Sequence, residues 1–393
     1  MGSAVLEAET VRVGVDQIVR HFQGLEDPRS TVNLRHPLVS VVVISIMAVL
    51  AGAGGPTAIA EWAALKEALL LTLLPLPNGI PQKDVFRRVL SALHPAAFQA
   101  AFASWLTSLR EQAAAAVTGI DQPVLAIDGK TLRRSHDRAN GLGALHSVSI
   151  WATDFGLTLG QVATDEKSNE ITAIPELLKL VDIRGAIITI DAMGTQTAIA
   201  KDIIEGEADY LLALKGNQDT LFQAVAEEID QQLEHPVANA GARRHITNET
   251  GHGRTETRIV LQMPAPKTLP GFDRWKGLKT IGAVMLICLR NGKETIEMRY
   301  FISSLGMGVK RFAHAVRSHW SIENTCHWCL DITYREDESR IRDEHMRENF
   351  AWLNRLTLSL LKQHGNGKSV AMNRRRCGWN DEILLQILTG QRT

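Results

Sequence analysis

A chain of 393 residues is long enough for two or three domains, and 45% hydrophobic with 22% charged content excludes a disordered or fibrous protein. Its 43 basic side chains balance 43 acidic ones, so any contact with nucleic acid has to come from local basic faces rather than from overall charge. Four cysteines exclude a disulfide framework and make a reducing cytoplasm the default compartment.

Residues 1–112 read as a helical N-terminal domain. No signal-peptide pattern is expected there, because Glu7 and Glu9 fall where an apolar core would be needed. Val15–Phe22 forms a short helix, with a turn at Glu26–Arg29. Leu38–Gly55 is the one stretch to weigh as a membrane span. It is near the minimum length, contains Ser40 and Ser45, and reads better as a fully buried core helix. Thr57 opens another helix running through Lys66, and Pro75, Pro77 and Pro81 punctuate a loop. Asp84–Leu90 and Ala96–Ala116 read as further helices. Arg87 and Arg88 are either a solvated face or a DNA contact.

From 113 to 225 the period changes. Val124–Asp128, His146–Thr153 and Leu157–Thr164 read as three strands joined by short turns, which calls for an antiparallel meander. Helix Glu170–Val181, strand Ile187–Asp191, helix Thr195–Gly206 and strand Tyr210–Lys215 follow, and helical crossovers call for parallel pairing. Residues 226–305 form a β-rich insertion. It contains the helix Leu221–Leu233 in part, a polar Thr-rich stretch with GHGR at Gly251–Arg254, and strands Lys279–Leu289 and Glu294–Phe301 around Asn291-Gly292, a strong hairpin signal. Residues 306–393 are helical, with long helices at Lys310–Leu330 and Met346–His364 and a basic run at Asn373–Arg376.

Two apolar strands, VLAID and AIITID, each run into a carboxylate, Asp128 and Asp191. Either aspartate alone reads as structural: a cap, or for Asp128 a salt bridge to Lys130. The pair, on strands near the middle of one sheet, reads differently. This strand and helix order matches a ribonuclease-H-like fold, in which the two ends converge. Converging carboxylates repel unless a divalent cation lies between them, and oxygen-only ligands suit Mg²⁺ or Mn²⁺. Such a site asks for a third carboxylate from a later helix, and Ser318–Asp337 offers Glu323, Asp331, Glu336 and Asp337. On a regular helix Glu323 and Asp331 stand about 80° and about 12 Å apart, so only one of them reaches the pair.

The segments FQGLEDPRS, RHPLVSVVVISIMAVLAG, AIDGKTLR, TIDAMGTQ, YLLALKGNQ, GHGRTETR and HWSIENTCHWCLD span residues 21–353. Together they resemble DDE-type insertion-sequence transposases of the H-repeat-associated family. That resemblance implies an N-terminal associated domain and a core whose metal-binding triad is Asp128, Asp191 and Glu323. Related transposases also carry Tyr, Arg and Lys around the third acid. Those positions fall here on Val316, His319 and Leu330, so the basic partner passes to His319 or Arg317.

Other constellations compete. His319, Glu323 and His327 share one helix face at four-residue spacing and suit zinc, with Asp128 or Asp191 as a further ligand. Cys326 and Cys329 form a C-x-x-C without a second pair and read as buried thiols. Lys130, Arg133 and Arg134 are either DNA-backbone contacts or solvated cations. Lys215 and Asn217 are placed to reach a phosphate, and Trp275 is either core or a stacking platform for a displaced base. The expectation is a metal-dependent DNA transposase. It would act on terminal inverted repeats and target DNA, as at least a dimer, with no membrane association, in the cytoplasm at the bacterial nucleoid. A nuclease of the same fold, or a DNA-binding relict without catalysis, is the alternative.

Overall fold

The computed structural model describes residues 14–30, 32, 34–102, 105, 122–137, 141–164, 170–234, 241–251 and 253–390. Six helices open the chain: α1 (14–22), α2 (Leu38–Leu50), α3 (Pro56–Leu65), α4 (Glu67–Leu73), α5 (Lys83–Ala92) and α6 (95–102). The remainder of the helix expected at Ala96–Ala116 lies largely outside the described residues. Helix α2 is apolar all round because it is the centre of this layer, with every residue except Val39 buried. Its 13 residues span about 20 Å, short of the roughly 30 Å of a bilayer core. No helix among the described residues is long and apolar enough to cross a membrane. The helix expected through Lys66 breaks there, and α4, which pattern reading had missed, begins at Glu67.

Strands β1 (Val124–Thr131), β2 (His146–Ala152) and β3 (Leu157–Thr164) form the antiparallel meander. Helix α7 (Glu170–Lys179) leads to β4 (Ile187–Ile190), and α8 (Thr197–Glu205) to β5 (Asp209–Leu214). Strand β4 runs parallel to both β1 and β5, as crossover connections require. After α9 (Asp219–Glu234) come β6 (Arg243–Gly251), β7 (Arg254–Pro264), β8 (Thr280–Arg290) and β9 (Lys293–Ser303), all antiparallel. Asn291 and Gly292 turn β8 into β9 with φ of 51° and 74°, the double left-handed geometry of a tight hairpin. Strand β9 then pairs with β5. The result is one nine-stranded sheet, ordered β3-β2-β1-β4-β5-β9-β8-β7-β6.

The C-terminal region begins with α10 (Val309–Ser321), continues without a break through a π-helical segment (Ile322–His327), and ends in α11 (Trp328–Ile332). Helices α12 (Glu344–Gln363), α13 (Val370–Trp379) and α14 (Asp381–Thr389) follow. They complete the core that α2 centres.

Alternation along the strands decides which residues meet which layer. Leu125 and Ile127 of β1, with Ile188 and Ile190 of β4, share a core with α7, α8 and α9. Val124 and Ile187 point to the other face and pack against α10. Asp128 and Asp191 continue that second alternation, so both turn toward the layer built by α10 and the π segment.

Candidate active site

The β1–β4 ladder ends at the pair Ile127↔Ile190. Asp128 and Asp191 are therefore the first residues past it on adjacent strands. One expectation needs correction: β1 does not stop at Asp128 but continues to Thr131 along β2, with Asp128 opposite Ser149. Asp128 thus sits on a backbone held by β2 at the level where β4 has ended. Burial pushes its carboxyl up to about 7, and the charges of Asp191 and Glu323 push the same way. One carboxylate oxygen accepts the Gly129 N–H at 2.9 Å, and the other lies 3.4 Å from His327 Nδ1. Asp191 accepts the Gly194 N–H at 3.3 Å.

Glu323 lies in the π-helical segment. Such insertions of one residue into a helix are common where a side chain is re-aimed for function. Burial raises its carboxyl, Asp191 adds to that, and Arg299 and Lys215 oppose it. Asp191, Lys215, Arg299, His319 and Glu323 line one cavity of about 410 Å³. Asp128 is tied to this group by charge. No three His, Cys, Asp or Glu side chains among the described residues are grouped closely enough to ligate an ion as they stand.

Two buried polar systems hold the backbone around Asp128. On one face of the sheet, His146 bonds Glu170 at 2.8 Å and Thr131 at 2.7 Å. A side chain at Gly129 would collide with Glu170 and His146, so the glycine after Asp128 is required by close approach. On the other face, Arg355 reaches Ser147 and Ser149 of β2 at 3.1 Å each and Glu336 at 3.2 Å. Arg355 and Glu336 side chains are both 0% exposed. Glu336 is thereby committed to Arg355. Asp331 pairs with Lys130, not with Arg335, which pairs with Glu338 instead. Asp337 takes Lys130 at 3.7 Å and Arg133 at 3.3 Å.

The basic residues singled out from sequence divide accordingly. Lys130 is 7% exposed and held in this cluster, whereas Arg133 and Arg134 are exposed. Lys215 is exposed at the cavity rim. The Asn217 amide donates to the Ala192 carbonyl, fixing the loop after β4. Trp275 is 5% exposed within the core shared by α7–α9. That burial gives it the packing role, because no ring face is open for a base. Arg317 is paired with Glu249 at 3.2 Å. His319 bonds the Thr189 hydroxyl at 3.0 Å, and burial pulls its imidazole down to about 4, so it is neutral and supplies no cation. His327 faces Asp128 instead, so the two histidines serve different strands. Cys326 and Cys329 are buried thiols, Cys326 pushed up to about 12 by burial. Arg374 is drawn inward onto the Val49 and Thr333 carbonyls. Sequence reasoning missed Arg299, whose guanidinium lies 4.0 Å from the Trp320 ring centroid. Its only sequence signal was a position in the second strand of a recognisable hairpin, far along the chain from Asp128, Asp191 and Glu323.

Residues 19–106 match the family described as "DDE_Tnp_1-associated", and residues 119–360 the "Transposase DDE domain" family. The chain is 35% identical over 381 residues to the Escherichia coli K12 protein "H repeat-associated putative transposase YhhI", covering 95% of this chain and 98% of that one. It is 36% identical over 383 residues to "Putative transposase YncI" of Escherichia coli O157:H7, covering 96% and 95%. Among solved structures, a piggyBac transposase synaptic complex with hairpin DNA aligns with a TM-score of 0.39 at 12% identity, over 97% of this chain and 77% of that chain.

Proposed function

Because the chain belongs to the DDE transposases, in their H-repeat-associated branch, we propose that it binds the terminal inverted repeats of its own element, cleaves DNA at the ends and joins them to target DNA. The observation that carries this reading is the placement of Asp128 and Asp191 side by side past the last β1–β4 pair, with Glu323 near enough to raise the Asp128 carboxyl. Three carboxylates brought to one place form an oxygen-only donor set, which fits a hard divalent cation, Mg²⁺ or Mn²⁺. Asp128, Asp191 and Glu323 would hold it. When bound, two such ions supply Lewis-acid activation of the attacking oxygen and neutralise charge at phosphorus.

The chain's own residues supply the rest. Two rigid strands fix two donors, and His327 orients the first. Of the cations singled out from sequence, Arg133, Arg134, Lys215 and Arg317 stay at the surface to meet the DNA backbone, Arg133 by exchanging Asp337 and Arg317 by exchanging Glu249, and Lys130 orders the Asp331–Asp337 cluster behind them. The first five strands, antiparallel then parallel in the order β3-β2-β1-β4-β5, support a ribonuclease-H-like core. On this reading 1–112 is the associated domain, 113–225 and 306–393 are the core, and 226–305 is an insertion whose strands extend the core sheet. Joining two ends asks for at least a dimer on DNA, working in the cytoplasm at the nucleoid.

A strand-transfer assay tests the proposal. The purified chain, Mg²⁺, a labelled duplex carrying the element end and a supercoiled target are combined. Released ends and target-joined product are expected. Cleavage without joining reduces the protein to a nuclease, and binding without cleavage to a relict.

A further inference from the structure

We propose that Arg299, delivered by strand β9, is the cation that grips the substrate phosphate beside Glu323. This rests on the transposase reading for its substrate, not for its geometry. Asp128, Asp191, Lys215 and Arg299 succeed one another across four neighbouring strands, β1, β4, β5 and β9. The β5–β9 ladder ends at Leu214↔Tyr300, so Lys215 and Arg299 are the next residues on each strand. Arg299 lies opposite Val284 on β8, and Val284 and Phe301 pack against α10. The guanidinium therefore faces the same layer as the acids. It lines the cavity with Asp191, Lys215 and Glu323 and is the largest opposing charge acting on Glu323.

Its preparation for an anion is physical. Stacking on Trp320 holds the guanidinium plane, and a planar fork matches two phosphate oxygens where an ammonium offers only a point charge. The present partner, Glu297 at 2.8 Å, is half exposed, and surface pairs of this kind are weak enough to be exchanged. A phosphodiester in the cavity would then lie between the acids on one side and Arg299 with Lys215 on the other. The two helix positions left neutral, His319 and Leu330, need no replacement on the helix, because the sheet supplies the charge.

Binding of a fluorescent duplex carrying the element end, measured against salt concentration, tests this without requiring turnover. Each phosphate contact contributes about 0.9 to the log–log slope. Arg299→Ala and Arg299→Gln should each lose about that much and slow Mg²⁺-dependent cleavage at least about tenfold, a loss worth some 1.4 kcal/mol. Arg299→Lys should recover the slope but not the rate, since it restores charge without the fork. Arg184→Ala, an exposed cation paired with Asp182 at 2.9 Å, is the control that leaves both unchanged. A wild-type slope in Arg299→Ala and Arg299→Gln overturns the inference. Wild-type protein that binds but never cleaves overturns the transposase reading, while the slopes still decide Arg299. Wild-type protein that does not bind DNA overturns both.

Discussion

Replacing Asp128 by asparagine is expected to stabilise the metal-free chain at neutral pH by about 4 kcal/mol, because its carboxyl is held about three pH units above normal and each unit is about 1.4 kcal/mol. The ordinary value is 3.8 and the folded value about 7. The sign follows from proton uptake. In the folded state the carboxyl keeps a proton that the unfolded chain releases near 3.8. The stability this gives is fully present below 3.8 and is lost as pH rises through about 7. Asparagine has the same shape, still accepts the Gly129 N–H, and carries no such loss. His319 and His327, lowered by burial to about 4 and about 3, titrate with the opposite sense. Their contribution is present above 6.5 and lost as pH falls. For His319, which bonds Thr189 and not Asp128, it cancels in the difference between variant and wild type. His327, 3.4 Å from Asp128, is neutral in the folded state across the pH 4–7 window of the comparison. Urea unfolding in chelator at a series of pH values gives the measurement. The gap should open from near zero at pH 4 to its full size at pH 7, and added Mg²⁺ should narrow it by stabilising only the wild type. A gap below about 1 kcal/mol at pH 7, or one that does not grow with pH, refutes the crowded-carboxylate argument.

Glu323→Gln should lower Mg²⁺-dependent cleavage by on the order of a hundredfold or more, several kcal/mol of charge stabilisation being lost, with duplex binding retained in a gel-shift assay. Arg355→Ala, which strands the fully buried Glu336, should cost about 3–5 kcal/mol in urea unfolding. Arg355→Met combined with Glu336→Leu should recover most of that. Asp331→Asn leaves Lys130 with a neutral acceptor and only the longer ion pair, to Asp337. It should cost about 1–3 kcal/mol of stability while cleavage, read on the same labelled duplex, stays substantial.

The strands and the two aspartates were legible because short apolar runs ending in a carboxylate carry both the burial and the exception to it. The hairpin at Asn291-Gly292 was legible because two successive left-handed residues demand that chemistry. The rest depended on partners remote in sequence. Nothing within ten residues of Lys130 announces Asp331, and nothing near Glu336 announces Arg355 and the serines of β2. Arg299 was hidden for the same reason, since its neighbours in space, Trp320 and Glu323, stand about three and four turns into a helix that starts only after the strand has ended. The periodicity of Lys310–Leu330 predicted a helix but not its π segment, because one extra residue leaves the apolar pattern almost intact.

That segment can be viewed as an inserted residue that was never removed. Each residue of an α-helix advances the chain by about 100° and 1.5 Å. Deleting any one position between Ile322 and His327 would let regular hydrogen bonding close up, and the helix itself would gain. Because the wider turn of the segment already absorbs that residue, everything after the deletion would stay close to its present heading relative to α10, and Asp331 would still face Lys130. What would change is the aim of the side chains inside the window, Glu323 among them. Single-residue deletions here should therefore leave the fold standing and remove Mg²⁺-dependent cleavage. A library covering Ser321–Trp328, read once for folded protein and once for cleavage, would show the two separating, and deletions that unfold the chain would refute this.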